Sequence, residues 1–474
     1  MTSQPASPSK LTTRRLFGDT AIYGLGTFLP RCIGLLTLPI LSRLLGPAEY
    51  GLVDLLGIAS SFAMIVIGLE MSLTISRRWS GSGADEQRAM AGTAWITAVG
   101  LGLILLTPAV AVVLTYDLHV GGQRLRSAVI VLWFAAAITS AIAYHVQNLF
   151  RYDMHPTRFA ISVIASSMAS GVIAVGIAVH GMPQAEAILL AALVGNLVVI
   201  GISVPLRTRL LPFTFSFRQA GIMVSYSGPL VLSGICVAGG QQIDRLLVGH
   251  LLGIEEMGIY TMAARLASIL SMATVAVQLA ILPLLFSALS ESGSAKFTAR
   301  TAVLFAAVAG STALAITLFA DPLIVILGGA AYERASVPLG WLCVGSIMNG
   351  LTVFVPGLYV ANQTWRICLI YAGSCLVNIA LTTTLVPSLG FSGAACANAI
   401  AATFVFLAMA VAGSHSFKVP LPKVVLLLMG LIVGFVLVLS AGFPMGMLTR
   451  IYALVAAVGV LALLARHGLM KLSI

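Results

Sequence analysis

The sequence predicts an all-α polytopic membrane protein of about fourteen transmembrane helices. They are arranged as two parallel repeats of six, with two further helices at the C-terminus. Three observations carry that prediction. Apolar residues make up 59% of the 474-residue chain and charged residues 9%, against roughly 25% charged in a soluble domain. The apolar runs over 91–115, 159–179, 391–412 and 424–441 approach or exceed the ~20 residues with which a helix crosses a ~30 Å hydrocarbon core. Finally, the phrase LLGPAEYGL at 44–52 recurs as LLGIEEMGI at 251–259, 207 residues later. A transmembrane barrel is excluded because its strands would alternate apolar and polar residues, whereas these runs are continuous.

Residues 1–17 read as a polar cytosolic tail. Its Arg14-Arg15 pair resembles a twin-arginine export pattern. A cleavable signal needs a short apolar region and a small-residue cleavage site. The segment that follows is instead about 28 residues long, contains Arg31 and has no clear site of that kind. Apolar runs between polar clusters then place spans at 18–45, 50–74, 91–115, 127–150, 159–179, 187–206, 220–252, 257–288, 301–326, 337–360, 367–387, 391–413, 424–441 and 449–465.

With the tail inside, 18 of the 26 Lys and Arg residues fall in inner segments and four in outer ones, the remaining four lying within spans. This is the asymmetry of the positive-inside rule. It accounts for the net charge of +11 through topology, without nucleic acid. It also sets an even number of spans, fourteen or twelve, with both termini cytoplasmic.

Each LLGxxExG phrase closes one span and opens the next at an outer turn. Six spans separate the copies, and an even number restores the orientation, so the halves are parallel repeats. A second echo agrees: RFAISVIAS from Arg158 and RICLIYAGS from Arg366 both open an apolar span. The chain therefore divides into the tail, an N-terminal lobe over 18–213, a C-terminal lobe over 214–413, and an unmatched tail-piece over 414–474. Glu49 and Glu256 inside the phrases read as turn or helix-start residues. The six cysteines all lie in apolar stretches without CxxC pairs and read as packing residues.

A charge at the centre of a transmembrane helix costs about 2.5–3.5 kcal/mol on insertion scales, so it faces a cavity or a partner. Arg31 lies near the middle of the first span, Arg245 in the outer part of the seventh beside Asp244, and Arg265 in the eighth. Arginine's planar fork binds phosphate or carboxylate in bidentate fashion, so three converging on one cavity suit a polyanion such as a diphosphate. The plainer reading is intramembrane ion pairing that fixes helix packing. Asp54 near the outer end of span two, Glu70 near its inner end, and Asp244 are the acids that stand out. Their plainer readings are surface solvation for Asp54 and pairing with Arg77 or Arg78 for Glu70.

Four blocks carry a family resemblance: GDTAIYGLGTFLPRCIGLLTLPILSRLLGPAEYGLVDLL from Gly18, GLEMSLTISRRWS at 68–80, IDRLLVGHLLGIEEMGIYTMAARLA at 243–267 and LVPSLGFSGAACANAIA at 385–401. Together they resemble bacterial lipid-linked oligosaccharide flippases and polysaccharide exporters of the multidrug/oligosaccharidyl-lipid/polysaccharide (MOP) superfamily. The resemblance implies two six-helix lobes forming a V that opens alternately to cytoplasm and periplasm. It also implies movement of an undecaprenyl-diphosphate-linked glycan across the bacterial inner membrane, within bilayer lipid and beside glycan polymerase or export machinery. Arg31, Arg245 and Arg265 match its basic positions and are the expected substrate ligands. Glu70, Asp244 and Asp54 are the expected ion-coupling candidates, for a proton or sodium ion; no cofactor is expected. Fewer basic residues around the first two helices than in the lipid II flippase branch favour an O-antigen, capsule or exopolysaccharide unit. A lipid II flippase and a cation or multidrug exporter are the alternatives within the superfamily. A membrane glycan polymerase or ligase is the alternative enzyme class, and the short outer loops leave it little room.

Overall fold

The computed structural model describes residues 13–116, 119–120, 123–181, 184–206, 210–288, 294–361, 363–415, 423–440 and 446–471. The tail over 1–12 and the inner-segment arginines Arg207 and Arg209 lie outside those residues. In chain order the helices are α1 (Thr13–Gly68), α2 (Met71–Arg78), α3 (Ala84–Thr115), α4 (Ser127–Tyr152), α5 (Pro156–Val179), α6 (Gln184–Ser203), α7 (Phe217–Leu252), α8 (Ile254–Ala288), α9 (Ser294–Leu318), α10 (Ala320–Gly328), α11 (Ser336–Leu351), α12 (Gly357–Val360), α13 (Thr364–Leu389), α14 (Phe391–Gly413), α15 (Lys423–Ser440) and α16 (Met447–Lys471). Among the described residues the one sheet is a two-stranded hairpin between α3 and α4, pairing His119–Val120 with Gln123–Arg124.

Local chemistry sets the breaks. Helix α1 is two helices meeting at Gly46, whose backbone (φ 69°, ψ 165°) lies in a region essentially reserved for glycine. Pro47 follows as the first residue of the next helix, where its missing N–H costs nothing. Gly253, between α7 and α8, repeats this conformation (φ 104°, ψ 166°). Ser216 caps α7 by accepting the Gln219 N–H at 3.4 Å. Glu255 and Glu256 occupy the first turn of α8, where negative charge complements the helix dipole.

Among the described residues, ten helices are long and apolar enough to cross a membrane, or eleven if the bent pair Phe217–Gly228 and Leu230–Leu252 is one span. The difference from fourteen is traceable. Residues 22–68 form one long element that holds two expected spans joined at Gly46. The described apolar part of α15 is the short helix Leu427–Val438. The side chains of α8 are described continuously only to Met272. Large apolar residues such as Leu36, Val172 and Val411 lie exposed on the outside, as a hydrocarbon solvent requires.

The repeat is visible in the packing. Helix α1 packs on α5, α5 on α6, α4 on α6 and α3 on α4; in the second half α7 packs on α13, α13 on α14, α11 on α14 and α9 on α11. The last two helices, α15 and α16, both pack on α9, and Arg450 of α16 pairs with Asp321 of α10 at 2.8 Å. The largest buried cluster crosses between the halves, joining Leu38, Tyr50 and Ile58 to Tyr260, Met262 and Tyr332. Its Tyr50 and Tyr332 rings meet edge to face with centroids 6.0 Å apart.

Candidate functional site

The two LLGxxExG corners dock on each other. A Cβ at Gly51 would sit 2.0 Å from the carbonyl oxygen of Ile254, and a Cβ at Gly258 would sit 1.9 Å from that of Pro47. Close backbone approach of this kind is what small residues provide between membrane helices. The first glycine of each phrase therefore sets the turn, and the second lets the start of one helix touch the start of its counterpart. The glutamates hold the corners from outside. Glu49 pairs with Arg126 at 3.1 Å and Glu256 with Arg334 at 2.6 Å. Arg126 and Arg334 stand 208 positions apart, so the ion pair is itself repeated. Two further bonds cross at this end: Ser42 Oγ donates to the Leu327 carbonyl at 2.8 Å and Arg43 to that of Ile326 at 2.6 Å.

About 12 Å along the helices from these corners, at 1.5 Å per residue, lies the charged cluster. Asp54 is buried, with its side chain only 5% exposed. It accepts bonds from Arg245 Nη1 at 3.2 and 3.3 Å and from Thr261 Oγ1 at 3.0 Å. Arg265 Nη2 stands 3.5 Å from its other oxygen. Asp244 is buried too, but its partners differ: Tyr260 donates at 2.6 Å, Asn398 Nδ2 at 3.1 Å and the Arg245 backbone N–H at 2.9 Å. No side-chain ion pair joins Asp244 to Arg245 among the described residues. This agrees with adjacent helical residues pointing about 100° apart.

Of the six site candidates, the structure brings together Asp54, Asp244, Arg245 and Arg265. Asp54 is not solvated at the surface; it is the acceptor on which two arginines converge. Arg31 stands apart, exposed and without a paired acid among the described residues. It is ~22 Å along the helix from Gly46, some 10 Å deeper than Asp54. Glu70 is also separate. Arg77 and Arg78 turn to Tyr226 and Glu86, leaving Glu70 half-buried in a left-handed turn (φ 50°) after α1.

Each half holds a cavity. That of the first half, about 410 Å³, is lined by Ser60, Glu70, Ser140, Tyr144 and His145, and the buried His145 Nε2 has no hydrogen-bond partner among the described residues. That of the second, about 340 Å³, is lined by Gln241, Asp244, Arg245, Asn349, Tyr371 and Asn398. The side chain of Arg245 is 20% exposed and that of Arg265 55%, so both remain partly open to solvent. Sequence reasoning missed Tyr260, Thr261 and Asn398. For Thr261 a signal existed: it lies 207 residues from Asp54, the repeat spacing itself. Equivalent positions of a two-fold repeat meet at its axis.

Helices repeated in two sets, a buried charged cluster between them and an apolar exterior define a multi-pass membrane protein of the MOP-superfamily fold. The fold is shared with a lipid II flippase, MurJ, in an inward closed conformation (TM-score 0.64, 13% identity, covering 96% of this chain and 98% of that one). It is shared also with an inward-facing multidrug resistance transporter of the MATE family and MOP superfamily (TM-score 0.61, 14% identity, 84% and 94%). The chain belongs to the polysaccharide biosynthesis protein family, whose model matches residues 16–289. An Lsg locus protein of Haemophilus influenzae is 26% identical over 286 residues, covering 58% of this chain and 67% of its own.

Proposed function

We propose that this protein is a flippase. In this reading it moves an undecaprenyl-diphosphate-linked oligosaccharide, an O-antigen, capsule or exopolysaccharide repeat unit, from the inner to the outer leaflet of the cytoplasmic membrane. The observation that carries the reading is Arg245, which lines a polar cavity, converging with the partly exposed Arg265 on Asp54, in a family of polysaccharide biosynthesis. A diphosphate offers those forks the bidentate acceptors they fit.

In this mechanism fourteen spans form two six-helix lobes, 18–213 and 214–413, with the termini cytoplasmic and the pair after 414 appended. The lobes rock about the corner where Gly51 and Gly258 meet. Arg31, deeper in the first lobe, receives the diphosphate from the cytoplasmic side and Arg265 and Arg245 complete its coordination. The polyprenyl tail stays in the bilayer. Binding of a proton or sodium ion at Glu70, Asp244 or Asp54 biases the two states, to the extent that the ion's affinity differs between them.

The test replaces Arg31 and Arg265 singly with Ala and measures lipid-linked glycan on the cytoplasmic leaflet. Accumulation of the glycan inside and loss of export are expected. Undiminished export by both variants at normal protein levels would remove the diphosphate-docking reading.

A further inference from the structure

We infer that Asp54 is an internal stand-in for the substrate's anionic group: it occupies the arginine forks in the unloaded protein, and an incoming diphosphate must displace it. This rests on the flippase reading and specifies how its site is regulated.

The argument begins with where each acid finds its donors. Asp244, on α7, is held by Tyr260, Asn398 and the Arg245 amide, all in the second half of the chain. Those bonds move as one body. Asp54, on α1, is held by Arg245, Arg265 and Thr261, again all in the second half. Its bonds therefore join the halves, and any separation of the halves at the corner must break them. Of the two acids in the cluster, Asp54 alone can report whether this end is closed.

The chemistry of the exchange follows. A carboxylate accepting from two guanidinium groups and a hydroxyl presents the arrangement of oxygens that a phosphate would present. Both cannot use the same donors at once. Asp54 is the buried partner, with 5% of its side chain exposed, and a buried charge stripped of its partners is strongly disfavoured, so the pairs hold until an anion competes for the arginines. The exposed part of Arg265, with 55% of its side chain open, gives that anion a first contact before Asp54 yields. In the unloaded protein the corner stays shut, and loading supplies what opening needs. An apparent affinity reduced by an internal competitor is restored when the competitor is removed.

The experiment measures binding of inorganic pyrophosphate to the full-length protein in lipid nanodiscs, for the wild type, Asp54→Asn, Thr261→Val and Arg245→Ala. Asp54→Asn should bind more tightly, by about 5- to 150-fold, the usual range of such coupling. Thr261→Val, which removes one bond to Asp54 without changing charge, should shift the same way by less, and it carries the test if Asp54→Asn does not fold. Arg245→Ala should bind weakly. A spin-label pair at Ala48→Cys and Glu255→Cys, with the six native cysteines replaced by alanine, reads the corner. Pyrophosphate should lengthen that distance in the wild type, and Asp54→Asn should show the longer distance without ligand. Arginine-dependent binding that Asp54→Asn and Thr261→Val leave unchanged or weaken, or a wild-type distance indifferent to pyrophosphate, would overturn the competition while leaving the flippase reading intact. Absence of pyrophosphate binding in every protein would overturn both.

Discussion

At the first corner Gly46, Glu49 and Gly51 do what Gly253, Glu256 and Gly258 do at the second. The first glycine takes a backbone that excludes a side chain, the glutamate binds an arginine, and the last glycine admits the opposite helix. One to two turns further along the likeness ends. Asp54 stands opposite Thr261, and Arg265 occupies the place that buried Ile58 holds in the first half. Before the corner, Asp244 and Arg245 replace Thr37 and the buried Leu38. Positions that the repeat keeps build the turn, and positions where it diverges carry the charge. A cluster with a single crossing acid can arise only from such asymmetry, because a perfect two-fold would set two acids, or two arginines, face to face.

The comparison can be broken most sharply at the crossing glycines. Gly51→Val and Gly258→Val each push a side chain into a backbone carbonyl that cannot rotate away. Each should cost about 3 kcal/mol, the upper end for overpacked interiors. The measurement is the half-life of the heated protein in detergent, since membrane proteins of this size seldom unfold reversibly. Equal losses at the two sites support a symmetric contact, whereas a tolerated valine at either would show that the halves do not need to touch there.

A smaller effect is expected at the turning glycines. Gly46→Ala and Gly253→Ala add only a methyl group, which meets no other described part of the chain within 4 Å beyond its own local backbone. Their cost is backbone strain alone, about 1–2 kcal/mol each. Near-equal losses in the same heating assay would sharpen the likeness of the two turns. A neutral Gly253→Ala beside a damaging Gly46→Ala would assign the turn to Pro47, which only the first copy possesses.

Much of this architecture was legible from spelling. Composition dictated helices in a membrane, and the repeated phrase located both corners. The turning role of Gly46 and Gly253 follows from a glycine between two long apolar runs. The crossing role of Gly51 and Gly258 does not, because a glycine inside a helical pattern looks the same whether it meets lipid or another backbone. The charged cluster was half legible. Arg245, Arg265, Asp54 and Asp244 stood out as costly in hydrocarbon, but Asp54 meets partners 191 and 207 residues away, and periodicity reaches only neighbouring turns. The grouping of Arg31 with the other two arginines rested on their spans, those that flank the repeated corner, which says nothing about which faces meet.

The smallest expected effect tests the outer ion pairs, where the two corners agree in pattern and differ in strength. Arg126 bonds Glu49 and also Glu186 through Nε at 2.8 Å, and Glu49 accepts the Ala185 N–H at 3.2 Å. The network thus ties the α1 corner to the start of α6. At the second corner Arg334 bonds Glu256, and its guanidinium lies 5.2 Å over the Phe391 ring at the start of α14. The same helix start is reached, through a ring face in place of a carboxylate. Arg126→Ala leaves two acids without their cation, one of them with a side chain only 9% exposed. Arg334→Ala leaves one, with Arg334 itself 63% exposed and screened by solvent. Exposed pairs contribute about 0.2–1 kcal/mol, so Arg126→Ala should lie near the top of that range and Arg334→Ala near the bottom. Raising the ionic strength should narrow the gap, since the Debye length falls to about 3 Å at 1 M salt. If Arg334→Ala proves the more damaging in low salt, the ring contact outweighs the second carboxylate, and the corner with fewer charges is the more firmly tied of the two.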